Sequence, residues 1–426
     1  MIGRRRWLQM SALAAAYGAS GMSRARAALP AARAQVVIVG AGFAGSACAL
    51  QLRRLDAGIE VTLVDPVDRY LTCPMSNEVL VGQRTLASIG VARAGVRRAG
   101  IRLLRARVDA IDPDQRRVRL AGGRVLGYDR LVVAPGIRFL WNRIEGYDEA
   151  AAQRMPHAWQ AGEQTMQLAQ QLRTMADGGV VAISVPSGLM RCPPAPYERA
   201  SLVAHYLSRH KPRSKILILD SNNHFPRQDI FTDAWESLYP GMIEWIASTQ
   251  DGAVVRVDAA RMTLYTANAA HPVAVANVIA PQAPGQIAAD AALAAGHGWC
   301  PIAPATFESQ LIAHVHVIGD ACIADAMPKS ASAAVSQARQ CALAIEALLA
   351  GRDPDPPAFD SVCYSMLAPQ RALAIHGRFV TEAGSIVALA AQPGSPGSPG
   401  SGSLEAQEAL EAQRWYRAIR ADAFGD

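Results

Sequence analysis

The chain has 426 residues, half of them hydrophobic and only 18% charged, which excludes an intrinsically disordered protein and leaves room for two or three packed domains. It contains no run of 18 or more apolar residues, so a membrane-spanning helix is excluded. The net charge of +6 is concentrated in the first 27 residues, where Arg4, Arg5, Arg6, Arg24 and Arg26 stand without an acid; taking these five from 42 leaves 37 basic groups against 36 acidic, and no basic surface for nucleic acid.

The segment Gly3-Arg4-Arg5-Arg6-Trp7-Leu8-Gln9 resembles a twin-arginine export signal. A mildly apolar stretch from Met10 to Met22 follows, then the small-x-small sites Ala25-Arg26-Ala27 and Ala32-Arg33-Ala34. Residues 1–34 are therefore expected to be a signal peptide with a short linker, and the mature protein to be periplasmic, where disulfides persist. Cysteines stand at 48, 73, 192, 300, 322, 341 and 363, an odd count with no CxxC or CxxCH spacing, so zinc-ribbon, thioredoxin-type and c-type haem sites are not expected. Cys48 and Cys341 read as helix-packing thiols, and the sequence suggests no chemistry for Cys300 or Cys322.

Gln35–Val39 reads as a buried parallel strand, Gly40-Ala41-Gly42-Phe43-Ala44-Gly45 as a turn, the Ala-rich run to Arg54 as a helix, and Glu60–Val64 as a strand ending at Asp65. This is the dinucleotide fingerprint in its required setting. Gly40 permits the turn, Gly42 lets a pyrophosphate approach, Gly45 lets helix and sheet close, and Asp65 is placed to accept ribose hydroxyls. Tyr128–Gly136 and His314–Ala321 are strands running into turns, the second through Gly319-Asp320. Both resemble the secondary motifs of the flavoprotein family with two dinucleotide domains that includes glutathione reductase. That resemblance implies FAD, with Asp320 on the ribityl chain and a helix beginning near Ser330 directed at the flavin pyrimidine edge.

Gly179–Val185 and Lys215–Asp220 read as strands of a second α/β domain. Between them, Pro186–Pro194 lacks the glycines a pyrophosphate needs and carries prolines, so nicotinamide binding is expected to be lost. Pro393–Ser401 is a low-complexity loop, and Leu404–Asp422 reads as a surface helix too polar for a membrane foot. The expected architecture is α/β: two Rossmann-like dinucleotide-binding domains, one for FAD (35–145 and 279–355) and one NAD-like (146–278), with a C-terminal interface domain over 356–426.

Three cysteine contexts complete the pattern: Tyr70–Glu78 around Cys73, Arg191–Ala200 around Cys192, and Cys363–Pro369. With Pro156-His157-Ala158-Trp159, Gly298-Trp299-Cys300-Pro301 and Met327-Pro328-Lys329-Ser330, they resemble the flavoprotein subunit of flavocytochrome c sulfide dehydrogenase. The resemblance runs from Gln35 to Pro369 and resumes weakly at Trp415–Gly425, leaving Leu373–Leu404 uncovered; Asp65 stands where that family more often has Glu.

The resemblance implies an 8α-S-cysteinyl FAD through Cys73, a redox-active Cys192–Cys363 disulfide attacked by sulfide, and a c-type cytochrome subunit as electron acceptor. Lys329 joins Gly40, Gly42, Gly45, Asp65, Cys73 and Asp320 among the expected cofactor-binding residues, and no metal is expected. A disulfide at Cys192 and Cys363 would also serve structurally. Glu198, six residues after Cys192, is placed either to move sulfide protons or simply to sit in a helix first turn. Rival functions are a sulfide:quinone oxidoreductase, which needs a quinone site at a membrane, and a non-catalytic FAD-binding subunit. An NADH-dependent disulfide reductase fits less well without the second glycine loop.

Overall fold

The computed structural model describes residues 33–294, 296, 298–390 and 402–426. Residues 1–32 of the expected leader and the Pro393–Ser401 loop lie outside them. The chain opens with β1 (Ala34–Val39), α1 (Phe43–Leu55) and β2 (Ile59–Asp65), followed by α2 (Ser76–Leu80), β3 (Arg102–Arg105), a three-stranded antiparallel ribbon over 108–127, and β4 (Arg130–Val133). A second α/β layer comprises β5 (Val180–Val185), α3 (Ala195–His210), β6 (Lys215–Asp220), β7 (Ile243–Ile246) and β8 (Val275–Val278). The chain then returns with β9 (Val315–Val317) and α4 (Ala331–Leu349), and ends in β10 (Ala358–Ala368), β11 (Arg371–Glu382), β12 (Ser385–Ala388) and α5 (Gly402–Phe424).

The first sheet has the parallel order β9-β4-β1-β2-β3 and the second β7-β6-β5-β8, also parallel. Their central strands are near-continuous apolar runs (AQVVIV in β1, VVAISV in β5) because helices cover both faces of a parallel sheet. The strand order places the carboxyl ends of β1, β4 and β9 side by side, where an open α/β sheet binds its ligand. Each sheet centres its own apolar core.

α4 starts at Ser330, whose hydroxyl caps the helix by accepting the Ala333 N–H at 3.2 Å, and it packs against α1 through small residues. Cys48 of α1 and Cys341 of α4 meet in that contact, fully buried and hydrogen-bonded to each other. Cys300 and Cys322 are also buried, as backbone bridge partners.

The last helix departs from the expected surface helix. In α5, Ala409, Ala412, Tyr416, Ile419 and Ala423 are buried against β11 and α1. Their spacing of three and four residues makes one apolar stripe, and Phe424 closes on Phe43 with ring centroids 5.1 Å apart. The uncovered stretch after Leu373 is mostly β11 and β12, an antiparallel extension of β10.

Candidate functional site

The glycine turn follows steric necessity at two of its three positions. Gly40 has φ +95°, and a Cβ there would stand 2.2 Å from the Ala134 carbonyl oxygen. A Cβ on Gly45 would lie 1.8 Å from the Gly40 carbonyl oxygen, so this residue lets α1 close on β1. Gly42 is different: its Cβ would meet only the Tyr70 ring, at 3.6 Å, and it faces a cavity. The α1 N-terminus there has no side-chain cap and no acid in its first turn, which suits a bound phosphate. Asp65 stands at the rim. Its carboxylate accepts the Ala41 N–H at 2.7 Å and the Val67 N–H at 2.8 Å, which orients it and leaves acceptor capacity for ribose hydroxyls.

The cavity measures about 1050 Å³ and runs from Gly40, Gly42 and Asp65, past Asp320 and the N-terminus of α4, to Cys73, Cys192, Cys363 and Glu198. Burial pushes the Asp320 carboxyl up, opposed by Arg191 and Lys329. Size, uncapped helix and acidic partners together fit an FAD. Gly45 packs behind the cavity wall. Lys329, expected on the cofactor, is not on the wall either. Its ammonium donates to the carbonyls of Asp320 and Cys322, both at 2.8 Å, and lies 3.9 Å from the Trp299 ring centroid. It props the Gly319–Cys322 turn from behind, two of its three donors going to those carbonyls.

The cysteines arrive on three unrelated segments. Cys73 lies in the loop before α2, and its thiol approaches the Trp159 carbonyl at 3.7 Å. Cys192 ends the loop between β5 and α3, where a second glycine turn would otherwise stand. It has φ +53°, and its N–H donates to the Lys329 carbonyl at 2.7 Å. Cys363 lies on β10 opposite Ile375, and the Val362 N–H donates to Ser332 Oγ at 3.0 Å, which ties this strand to the start of α4. All seven cysteines are free thiols in the structure. Burial pushes the Cys192 thiol well up, reinforced by Cys363 and Glu198. Burial also raises Cys363, eased by a hydrogen bond with Ser330. A thiolate formed there is poorly stabilised, and so a willing electron-pair donor.

Glu198, in the first turn of α3, is pushed up to about 8 by burial and then by Glu78, against hydrogen bonds from Asn77 and the Met366 amide and the charge of Arg199. That places its proton exchange near neutrality. Sequence reasoning missed the residue that builds this corner. Arg199 is buried, donates to Asn77 Oδ1 (2.9 Å), Asn277 Oδ1 (2.7 Å) and the carbonyls of His157 (3.1 Å) and Ala158 (2.8 Å), and lies 5.0 Å from the Trp159 ring centroid. This guanidinium grips the motif over 156–159 through the His157 and Ala158 carbonyls and the Trp159 ring. His157 is held neutral, pushed down to about 3 by burial and the neighbouring Arg199 and Arg191.

In the second sheet the acid at the end of β6 is used internally. Asp220, at the end of β6 where a ribose-binding acid would stand, is fully buried. It accepts hydrogen bonds from the Tyr197 hydroxyl (2.5 Å), the Trp245 indole (2.9 Å), and the Asn222 amide and side chain (2.9 and 2.8 Å). Its lone pairs are spent inside the protein.

Residues 165–280 match the family described as sulfide dehydrogenase (flavocytochrome c) flavoprotein chain, central; residues 355–424 match flavocytochrome c sulphide dehydrogenase, flavin-binding; residues 34–183 match pyridine nucleotide-disulphide oxidoreductase. A 45-residue alignment with the sulfide dehydrogenase (flavocytochrome c) flavoprotein chain of Chlorobaculum thiosulfatiphilum is 53% identical and covers 94% of that chain and 11% of this one. The chain belongs to the flavocytochrome c sulfide dehydrogenase flavoprotein family.

Membership makes it a flavoprotein of the FAD-dependent oxidoreductase class. The chain is also similar to the mitochondrial sulfide:quinone oxidoreductase of Dictyostelium discoideum, at 25% identity over 44% of this chain and 42% of that one. It is similar to the sulfide-quinone reductase of Aquifex aeolicus at 27% identity, over 42% and 41%. The matched stretch thus spans about two fifths of either relative. The solved Aquifex aeolicus sulfide:quinone oxidoreductase superposes over 92% of this chain and 93% of its own, with a TM-score of 0.71 and 17% identity. Putidaredoxin reductase in its covalent complex with putidaredoxin does so over 82% and 81%, with a TM-score of 0.61 and 21% identity. Both establish the two-domain dinucleotide-binding fold of this flavocytochrome c family member.

Proposed function

We propose that this chain is the flavoprotein subunit of a periplasmic sulfide dehydrogenase. Sulfide attacks a Cys192–Cys363 disulfide beside FAD, the FAD is tethered through Cys73, and electrons leave to a c-type cytochrome subunit. The observation that carries this reading is convergence: Cys73, Cys192 with Glu198, and Cys363, from three separate segments, line the same cavity as Gly42, Asp65 and Asp320.

Hydrogen sulfide forms a sulfur–sulfur bond to one cysteine as the disulfide bond breaks, giving a persulfide anion, a thiolate and two protons. The substrate sulfur is oxidised and the disulfide reduced. FAD, when bound, supplies the acceptor for the thiolate electron pair. Glu198 takes up protons at the cysteines, and its affinity near pH 8 suits that exchange. Arg191, 4.0 Å from Asp320 and hydrogen-bonded to the Trp159 carbonyl, adds positive charge beside Cys192 that favours the anionic sulfur species.

The likeness to sulfide:quinone oxidoreductases favours a quinone as the rival acceptor. The apolar stripe of α5 is packed inside the fold, which supports the cytochrome reading over a membrane-seated one. In the decisive experiment, Cys192→Ser and Cys363→Ser each abolish reduction of the flavin by sulfide while dithionite still reduces it. Normal sulfide turnover in either variant returns the pair to a structural role.

A further inference from the structure

We propose that Arg199 is a positioning residue for the flavin tether: it holds Ala158 in a left-handed turn that brings the Trp159 carbonyl onto the Cys73 thiol. The inference rests on the reading above, in which Cys73 bonds the FAD.

Ala158 has φ +46°, a conformation that a residue with a side chain keeps only where its surroundings fix it. Here hydrogen bonds fix it from several sides. The Ala158 N–H donates to Gln164 Oε1 at 3.1 Å, and the Trp159 N–H donates to His157 Nδ1 at 2.9 Å. His157 can accept because burial keeps its ring neutral. The side-chain amide of Asn277, on β8, donates to the carbonyls of Pro156 (2.7 Å) and His157 (2.8 Å). The Ala158 carbonyl itself is taken by Arg199 Nη2 at 2.8 Å, while Nη1 reaches the His157 carbonyl at 3.1 Å.

The Trp159 carbonyl is then the one that serves the cavity. It accepts the Cys73 thiol at 3.7 Å and Arg191 Nη2, which occupies both of its lone pairs. The Trp159 indole returns to the Arg191 carbonyl at 3.2 Å, so the same turn fixes the residue next to Cys192. Arg199 also grips the thiol's own segment, because its Nε donates at 2.9 Å to Oδ1 of Asn77, four residues after Cys73. One guanidinium thus holds both the thiol and the carbonyl that the thiol meets. A lysine ammonium, a point charge without the planar fork, cannot span these acceptors.

The bond at stake joins Cys73 Sγ to the flavin 8α carbon. The S–H and one methyl C–H are broken, and their two protons and one electron pair pass to the flavin ring, which the enzyme's electron acceptor reoxidises. An aimed sulfur speeds that step through orientation.

The test supplies FAD to the full-length protein and follows acid-stable flavin per bound flavin, a ratio that a simple loss of stability or of FAD affinity does not move. In Arg199→Lys, tether formation slows by about tenfold or more. Adding Ala158→Gly to that variant restores part of the rate, because glycine takes a positive φ without the guanidinium. Should Arg199→Lys not fold, Gln164→Leu, which frees the Ala158 N–H from a half-buried position, slows the same step several-fold. Unchanged rates in the folded variants, or no rescue by the glycine, overturn the proposal. If acid strips the flavin from the wild type, the tether reading falls, and Cys73 keeps an infrared S–H stretching band, assigned by its loss in Cys73→Ala. A shift of that band toward the free-thiol frequency in Arg199→Lys leaves the hold of the turn on the thiol standing, and an unshifted band overturns it as well.

Discussion

Thr72 and Tyr416, 344 positions apart, share a buried hydrogen bond of 2.7 Å between their hydroxyls. Thr72 immediately precedes Cys73, and Tyr416 lies on α5 between Trp415, which lines the cavity, and the turns that bring Phe424 onto Phe43 and Tyr70. The C-terminal helix therefore braces the loop that carries the expected flavin tether.

Tyr416→Phe is expected to destabilise the fold by about 1 kcal/mol, the usual net worth of one hydrogen bond whose remaining partner is still satisfied. Thr72 keeps its second contact, to the Pro74 carbonyl at 3.2 Å, so no orphaned hydroxyl is left. Urea unfolding should show a lower midpoint with an unchanged slope. An unchanged midpoint would mean that α5 docks through its apolar stripe alone.

Cys73→Ala should leave the flavin bound but extractable by acid. Gly42, Asp65 and Asp320 contact the cofactor site independently of the thiol. The check is absorbance before and after acid precipitation: wild-type protein keeps its yellow colour in the pellet, and the variant releases it. Release from the wild type would dispose of the thioether.

The first sheet was legible in the sequence nearly to the residue because local steric rules fix it. Gly40 and Gly45 admit no side chain, and β1 is apolar on both faces. The three cysteines were legible as contexts, and the fold brought them together. Lys329 was misplaced because a motif shows which residues are present and not which way a side chain turns. Asp220 and Arg199 escaped notice because their meaning lies in partners 23 to 122 positions away. The docking of α5 was legible and missed: the stripe 409, 412, 416, 419, 423 has helical spacing, hidden among Glu and Arg pairs.

Glu198 should imprint its affinity on the pH dependence of stability. Its carboxyl holds the proton to about pH 8 in the fold, above the ordinary value near 4.5, chiefly through burial. Between these limits the native state binds a proton that the unfolded chain has lost, so this contribution is fully present below about pH 4.5 and falls away as pH rises to about 8. Glu198→Gln removes the linkage. Over this window wild-type stability should decline relative to the variant, measured by urea unfolding at fixed ionic strength. Parallel curves would show that Glu198 titrates normally. The same variant should slow flavin reduction by sulfide most strongly near neutral pH.

Electrons that reach the flavin need an outlet. The chain holds no CxxCH and so attaches no c-type haem of its own. A nicotinamide is disfavoured by the proline-bearing loop after β5 and by Asp220, whose acceptors are already occupied. No described helix is long and apolar enough to cross a membrane, and the apolar stripe of α5 is committed to β11 and α1. A separate cytochrome c subunit is the outlet that asks least of this chain. Setting aside the five arginines of the expected leader, the charge is nearly balanced, so the subunits should associate through shape and apolar contact, with weak dependence on salt. Native purification is expected to give a complex with a haem-staining second chain, stable to moderate salt, whose haem is reduced when sulfide is added. If the flavoprotein instead purifies alone, and after sulfide reduction passes electrons to a quinone but to no cytochrome c, the sulfide:quinone reading replaces the one proposed.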